Sequence, residues 1–191
     1  MTRLLTAFVI GSLVAGTAAA APLTYTVDPM HTFPSFAADH MGLSVWRGKF
    51  NRTSGTVTLD REASTGTLQI AIDTTSVDFG LDALNQKAAE PDLFDLARYP
   101  QATYSGKLVD FVDGKPTRAT GQLTFRGVTR PVDLEIRSFK CMPHPIYKRE
   151  VCGADAVTTI KRDEYGMDAG KAYGFNMDVK LEIQVEALRN E

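Results

Sequence analysis

The chain has 191 residues, 43% hydrophobic and 23% charged, close to an average soluble globular protein. That excludes a disordered tail, a collagen-like repeat, a disulfide-dense mini-protein and a polytopic membrane protein. A formal charge of −2 lacks the basic surplus of a general nucleic-acid binder, and the length suits one domain.

The N-terminus opens with Arg3, runs through the apolar stretch Leu4–Gly16 and closes on the small residues Thr17-Ala18-Ala19-Ala20-Ala21-Pro22. A positive start, an apolar middle and a small-residue end make a secretory signal peptide over 1–20, with cleavage near Ala20 or Ala21. The apolar stretch is shorter than the roughly 20 residues that span a bilayer, so the mature protein, 22–191, is expected to carry no transmembrane segment. No Cys follows the cleavage site, which argues against a lipid-modified N-terminus.

From Leu23 onward the dominant period is two. Thr24–Asp28, Gly55–Asp60 and Thr67–Asp73 read as strands, Phe33–His40 and Leu43–Phe50 are strand-like but less regular, and turn residues such as Ser64-Thr65-Gly66 punctuate them. Helical spacing then appears at Leu81, Leu84 and Ala88, and Pro91–Ala97 reads as a second short helix with Pro in its first turn. This insertion, at about 81–97, should cross an end or flank of the sheet. Strands resume at Ala102–Val112, Ala119–Arg126, Pro131–Phe139 and Ala154–Lys161. The last run, Phe175–Ala187, alternates apolar and polar without a break, as a half-buried antiparallel strand does. Many short strands at close spacing indicate an all-β barrel or sandwich. About eight strands would close around side chains or one small ligand, and composition alone leaves packed and hollow barrels equally open.

Cys141 and Cys152 form an even pair in an exported chain. The residues between them, including Pro143 and Pro145, read as a proline-stiffened loop, and a structural disulfide is the expected state. The alternatives are free thiols or half of a metal site. A thiol redox motif wants closer cysteines, and zinc wants further ligands.

No nucleophile elbow, metalloprotease helix, dinucleotide fingerprint or P-loop is present, so no catalytic residue is assigned. His31 and His40 lie nine apart, an odd spacing that puts them on opposite faces of an unbroken strand, unless Pro34 introduces a bulge. No metal is expected. Asp60, Asp73, Asp78 and Asp110 fall at strand ends, where Asp makes turns. Asp163-Glu164, after Lys161-Arg162, reads as an exposed mixed-charge loop.

The order of several fragments carries a family resemblance. They are Tyr25-Thr26-Val27-Asp28-Pro29-Met30-His31-Thr32, then Phe36, His40 and Gly48-Lys49-Phe50, then Ile72–Val77, Leu93-Phe94-Asp95 and Tyr99–Tyr104. The most specific is Gly121-Gln122-Leu123-Thr124-Phe125-Arg126-Gly127-Val128-Thr129-Arg130-Pro131-Val132, followed by Arg162–Gly166 and the last strand. From about Tyr25 to Ala187 the chain resembles the YceI-like family, periplasmic polyisoprenoid-binding proteins with a lipocalin-like barrel. The Cys pair departs from the family's general pattern, as does Pro34 within the first His-to-His segment.

The resemblance implies an extended eight-stranded antiparallel barrel around an apolar tunnel that holds a polyisoprenoid, a quinone or another long-chain lipid, for transport or storage in the periplasm. It supplies no catalytic set and no obligatory cofactor, and it is compatible with a homodimer. Alternation and aromatic placement nominate Phe36, Trp46, Phe50, Phe79, Phe94, Tyr104, Phe111, Phe125, Tyr173 and Phe175 as lining. His31 and His40 match the family's paired histidines and are expected at the head-group end. Two other functions stay open on sequence: an enzyme or redox accessory acting on an isoprenoid quinone, with His40 or Asp39 as base, and an envelope-stress interaction module without a ligand.

Overall fold

The computed structural model describes residues 21–191, so segment 1–20, read from sequence as a signal peptide, lies outside the described residues. Eleven strand segments follow: β1 (Leu23–Val27), β2 (Phe33–His40), β3 (Ser44–Phe50), β4 (Thr53–Asp60), β5 (Thr65–Asp73), β6 (Val77–Asp78), β7 (Gln101–Val112), β8 (Lys115–Phe125), β9 (Val128–Pro143), β10 (Glu150–Lys161) and β11 (Asp178–Arg189). Helix α1 (Asp82–Ala88) sits between β6 and β7.

Every pairing is antiparallel, and β1 closes the sheet on β11. The eleven segments make eight strands, because three pairs are halves of one bent strand. β1 and β2 run in the same sense along β11, β3 and β4 run along them, and β5 and β6 along those. The result is the expected closed eight-stranded antiparallel barrel, with neighbours in chain order. Closure pairs every wall strand on both sides and leaves no sheet edge open along most of the wall.

Alternation decides what faces inward. Leu59, Leu68, Ile70, Ala102, Tyr104, Leu108, Leu123, Val132 and Leu134 point into the barrel. The intervening Thr67, Gln69, Ser105, Lys107, Arg118, Gln122 and Asp133 are exposed. Gly106 and Gly121 face each other in register. A Cβ on Gly121 would lie 2.5 Å from the Ser105 carbonyl and 2.8 Å from the Tyr104 ring, so the glycine is required for that ring to lie flat on the wall. The Tyr104 hydroxyl then donates to the Val132 carbonyl at 2.9 Å.

Three segments cap the end at which β2, β6, β8 and β10 finish: the insertion, the β8–β9 turn and the stretch between β10 and β11. Residues 91–98 form successive turns rather than the second helix read from Pro91–Ala97, because Asp95 adopts φ 49°, a left-handed conformation that ends helix propagation. Arg126 ties the cap together. Its guanidinium donates to the carbonyls of Leu93, Pro91 and Gly166, the last two at 3.0 Å. Arg162 is buried rather than exposed, and donates to the carbonyls of Met167 and Ala169 at 3.1 and 2.7 Å.

At the opposite end Cys141 and Cys152 are joined. They face each other across the β9–β10 ladder, so the loop expected between them shrinks to residues 144–149. Tyr25 donates to Glu150 at 2.5 Å, and Arg61 holds both Glu150 oxygens at 2.9 Å.

Candidate functional site

The barrel encloses a cavity of about 200 Å³. Its lining runs from Pro116 to Phe125 along β8, roughly 30 Å at strand rise. The volume is below the roughly 300–1,000 Å³ of pockets for compact ligands, and it is drawn out into a slot that suits one extended chain. No lining residue is charged: the wall is Leu, Ile, Val, Ala, Phe and Tyr with a few Thr and Ser. Such a surface favours hydrocarbon by ~25 cal/mol per Å² buried and strongly disfavours a bare charge.

Aromatic rings seal the cavity beneath the cap. Phe36 lies 5.5 Å from Phe50, 5.2 Å from Phe79 and 6.0 Å from Phe94 between ring centroids. Phe94 lies 5.7 Å from Phe125, which lies 6.0 Å from Tyr165. At the far end Tyr25, Leu59, Pro116 and Ala119, all buried, close the floor.

Of the residues nominated from sequence, Phe36, Phe50, Tyr104 and Phe125 line the cavity. Phe79 and Phe94 stand behind them in the seal. Trp46 and His40 share the inward faces of β3 and β2 with Phe50 and Phe36 but lie beyond the seal, stacked on each other at 4.3 Å, with Phe175 edge-on to His40 at 5.2 Å. Periodicity gave the face correctly and carried no information on height along the barrel. Phe111 does not line the cavity: it lies opposite Pro116, partly buried against the core cluster, and Pro116 takes the lining position there. Tyr173 is exposed on the cap.

Sequence reasoning missed the aliphatic lining, Leu59, Leu68, Ile70, Leu123, Leu134, Ala156 and Ile183 among it. The alternation that identified the strands was itself the signal that could have found them.

His31 precedes β2, in the turn that separates it from β1, and Pro34 causes no bulge: it sits opposite Ile183 in unbroken register. The His31 Nδ1 lies 2.8 Å from Asp28 Oδ2. That hydrogen bond, with the Asp28 charge, raises the His31 pKa above its ordinary value. Burial pulls the Asp28 carboxyl upward, but the bonds from His31 and the Met30 amide outweigh it and hold Asp28 below the usual range. Asp28, His31 and Glu186 bring one donor atom each within 4.8 Å, so they are the group that could approach a metal ion. Cys141 and Cys152 also lie near Glu150, but their sulfurs are spent on each other.

Comparison with known proteins supplies the remaining observation. A family model for the YceI-like domain matches residues 25–187. Protein YceI from Escherichia coli O6:H1 is 32% identical over 180 residues, spanning 93% of this chain and 92% of that one. Protein YceI from Salmonella arizonae is 30% identical over 196 residues and the full length of both. Among solved structures, BcnA from Burkholderia cenocepacia superposes with a TM-score of 0.68 at 23% identity, covering 84% of this chain and 98% of its own. A polyisoprenoid-binding domain from Saccharophagus degradans superposes with a TM-score of 0.64 at 19% identity, covering 88% and 99%.

Proposed function

The chain belongs to the YceI-like family, and from that membership we propose that it is a periplasmic lipid-binding protein that holds one polyisoprenoid or other long apolar chain for transport or storage, without catalysis. The observation that carries this reading is the cavity: a long slot inside a closed barrel, apolar throughout and lined by no charged group. An isoprenoid tail gains about 0.8 kcal/mol for each CH₂ removed from water and asks for shape and apolar lining rather than directed bonds. The polyisoprenoid-binding domain of Saccharophagus degradans, which shares the fold, supports the ligand class. The signal-like N-terminus and the disulfide support export to the periplasm. In this reading the working domain is 22–191.

The alternative of a quinone-acting enzyme would need His40 or Asp39 to face the lipid. His40 is stacked on Trp46 beyond the seal, and Asp39 accepts from the Gly42 amide at 3.0 Å. Lipid binding is tested by titration with a long-chain prenyl quinone, following the mass of the intact protein. Wild type should take up one molecule, and Leu134→Trp, which fills the slot from the wall, should take up none. Equal uptake by both proteins would move the ligand out of the cavity. A quinone conversion that disappears in His40→Ala would favour the enzyme instead.

A further inference from the structure

Strand β9 outruns its β8 neighbour toward the disulfide end, while β10 stays in the wall beside β11 as far as Val151. The β8–β9 ladder ends at Arg118 opposite Glu135, while β9 continues to Pro143 paired with β10 alone. The tip of the β9–β10 hairpin is an ordered turn: the His144 amide donates to the Arg149 carbonyl at 2.7 Å and the Lys148 amide to the His144 carbonyl at 3.1 Å. The disulfide fixes its root. An ordered turn in water gains nothing by presenting apolar side chains, yet Ile146 is 75%, Tyr147 55% and Met142 44% exposed.

Charge accompanies the apolar tip. Residues 136–149 contain Arg137, Lys140, Lys148 and Arg149 and no Asp or Glu, in a chain of net negative charge. Arg137 pairs with Glu135. Lys140, Lys148 and Arg149 form no ion pair among the described residues; the Lys148 ammonium and Arg149 guanidinium donate to the Pro145 and Arg189 carbonyls. The capped end also exposes Met41, Leu43 and Tyr173. Charge at that end is mixed: Arg47 and Arg98 stand among Asp39, Asp95, Glu164 and Asp168 and the pairs Lys161–Asp178 and Lys171–Asp163, without the run of basic residues that the hairpin tip carries.

We propose that the β9–β10 tip docks the protein on an anionic phospholipid bilayer. Ile146 and Tyr147 enter the headgroup layer, Tyr with its ring in and its hydroxyl in water, and Lys140, Lys148 and Arg149 lie against lipid phosphates. Ile136, Phe139, Gly153 and Ala154, at the root of the same hairpin, are partly exposed and line the cavity. Docking therefore brings that part of the lining to the bilayer, where a water-insoluble cargo resides.

The test is co-sedimentation of the chain from Ala21 with vesicles of phosphatidylcholine, alone or mixed with phosphatidylglycerol. The protein should sediment with the anionic vesicles only, and high salt should release it. Lys148→Ala with Arg149→Ala should weaken binding about thirtyfold, at ~1 kcal/mol per cation, and Ile146→Ser with Tyr147→Ser should abolish it. Native mass spectrometry of each variant reads cavity content separately, so loss of docking is distinguished from loss of cargo. Equal binding to neutral and anionic vesicles, wild-type binding by the tip variants, or capture of a soluble partner with no vesicle binding would each overturn the proposal.

Discussion

Arg126 shows how one side chain can hold a site it does not touch. It occupies the left-handed half of the β8–β9 turn, φ 48°, with Gly127 at φ 72° beside it, and its planar fork gathers carbonyls from two other cap segments. Arg126→Ala should lower stability by about 2–3 kcal/mol in urea unfolding, since bonds to charged groups are worth more than neutral ones. Lys should not rescue it, having a point charge in place of a fork. A second residue-scale test concerns Tyr25 and Glu150. Burial and the bond to Glu150 push the Tyr25 hydroxyl up to about 12. Burial pulls the Glu150 carboxyl up, but Tyr25 and Arg61 outweigh it and hold it below its ordinary 4.5. The Tyr25 contribution is therefore complete below pH 10 and fades as pH rises toward 12. That of Glu150 is present above pH 4.5 and fades as pH falls below it. The stability difference between wild type and Tyr25→Phe should be largest near neutrality and shrink in both directions; a difference constant with pH would refute the coupling.

At the scale of elements, the strands were legible and their interruptions were not. The period-two runs located most wall strands, because each has one apolar and one wet face; Phe33–His40 and Leu43–Phe50 alternate less regularly, and the two-residue β6 carries no such run. The short helix at Leu81–Ala88 was legible for the same reason at its own period. What could not be read was where a left-handed residue interrupts a strand, as at Asp110, or stops a helix, as at Asp95, because both depend on single backbone conformations that non-glycine residues rarely advertise. The cysteines were legible as a pair, but their direct opposition across the β9–β10 ladder was not, since proline between them suggested loop. Replacing both by Ala should cost about 2–3 kcal/mol in urea unfolding. A cost below about 0.5 kcal/mol would mean that the ladder alone holds the hairpin.

For the whole molecule, the barrel inverts the usual division of apolar content. Part of what a packed core would use for itself is arranged around a long apolar slot, with Phe36, Phe50, Phe94 and Phe125 closing one end and Tyr25, Pro116 and Ala119 the other. Sequence nominated the aromatics because they are conspicuous, and the aromatics proved to concentrate at the seal. The aliphatic residues that make most of the wall drew no attention, since a Leu facing a cavity and a Leu facing a core have the same sequence pattern. Filling that slot is what the proposed function requires of a ligand. The most direct measurement is the native mass of the protein purified from its own envelope with no lipid added, beside solvent extraction of the same sample. One co-purifying long-chain apolar molecule per barrel is expected, absent from Leu134→Trp. A wild-type protein that is ligand-free, and stays so when offered prenyl lipid, would contradict it.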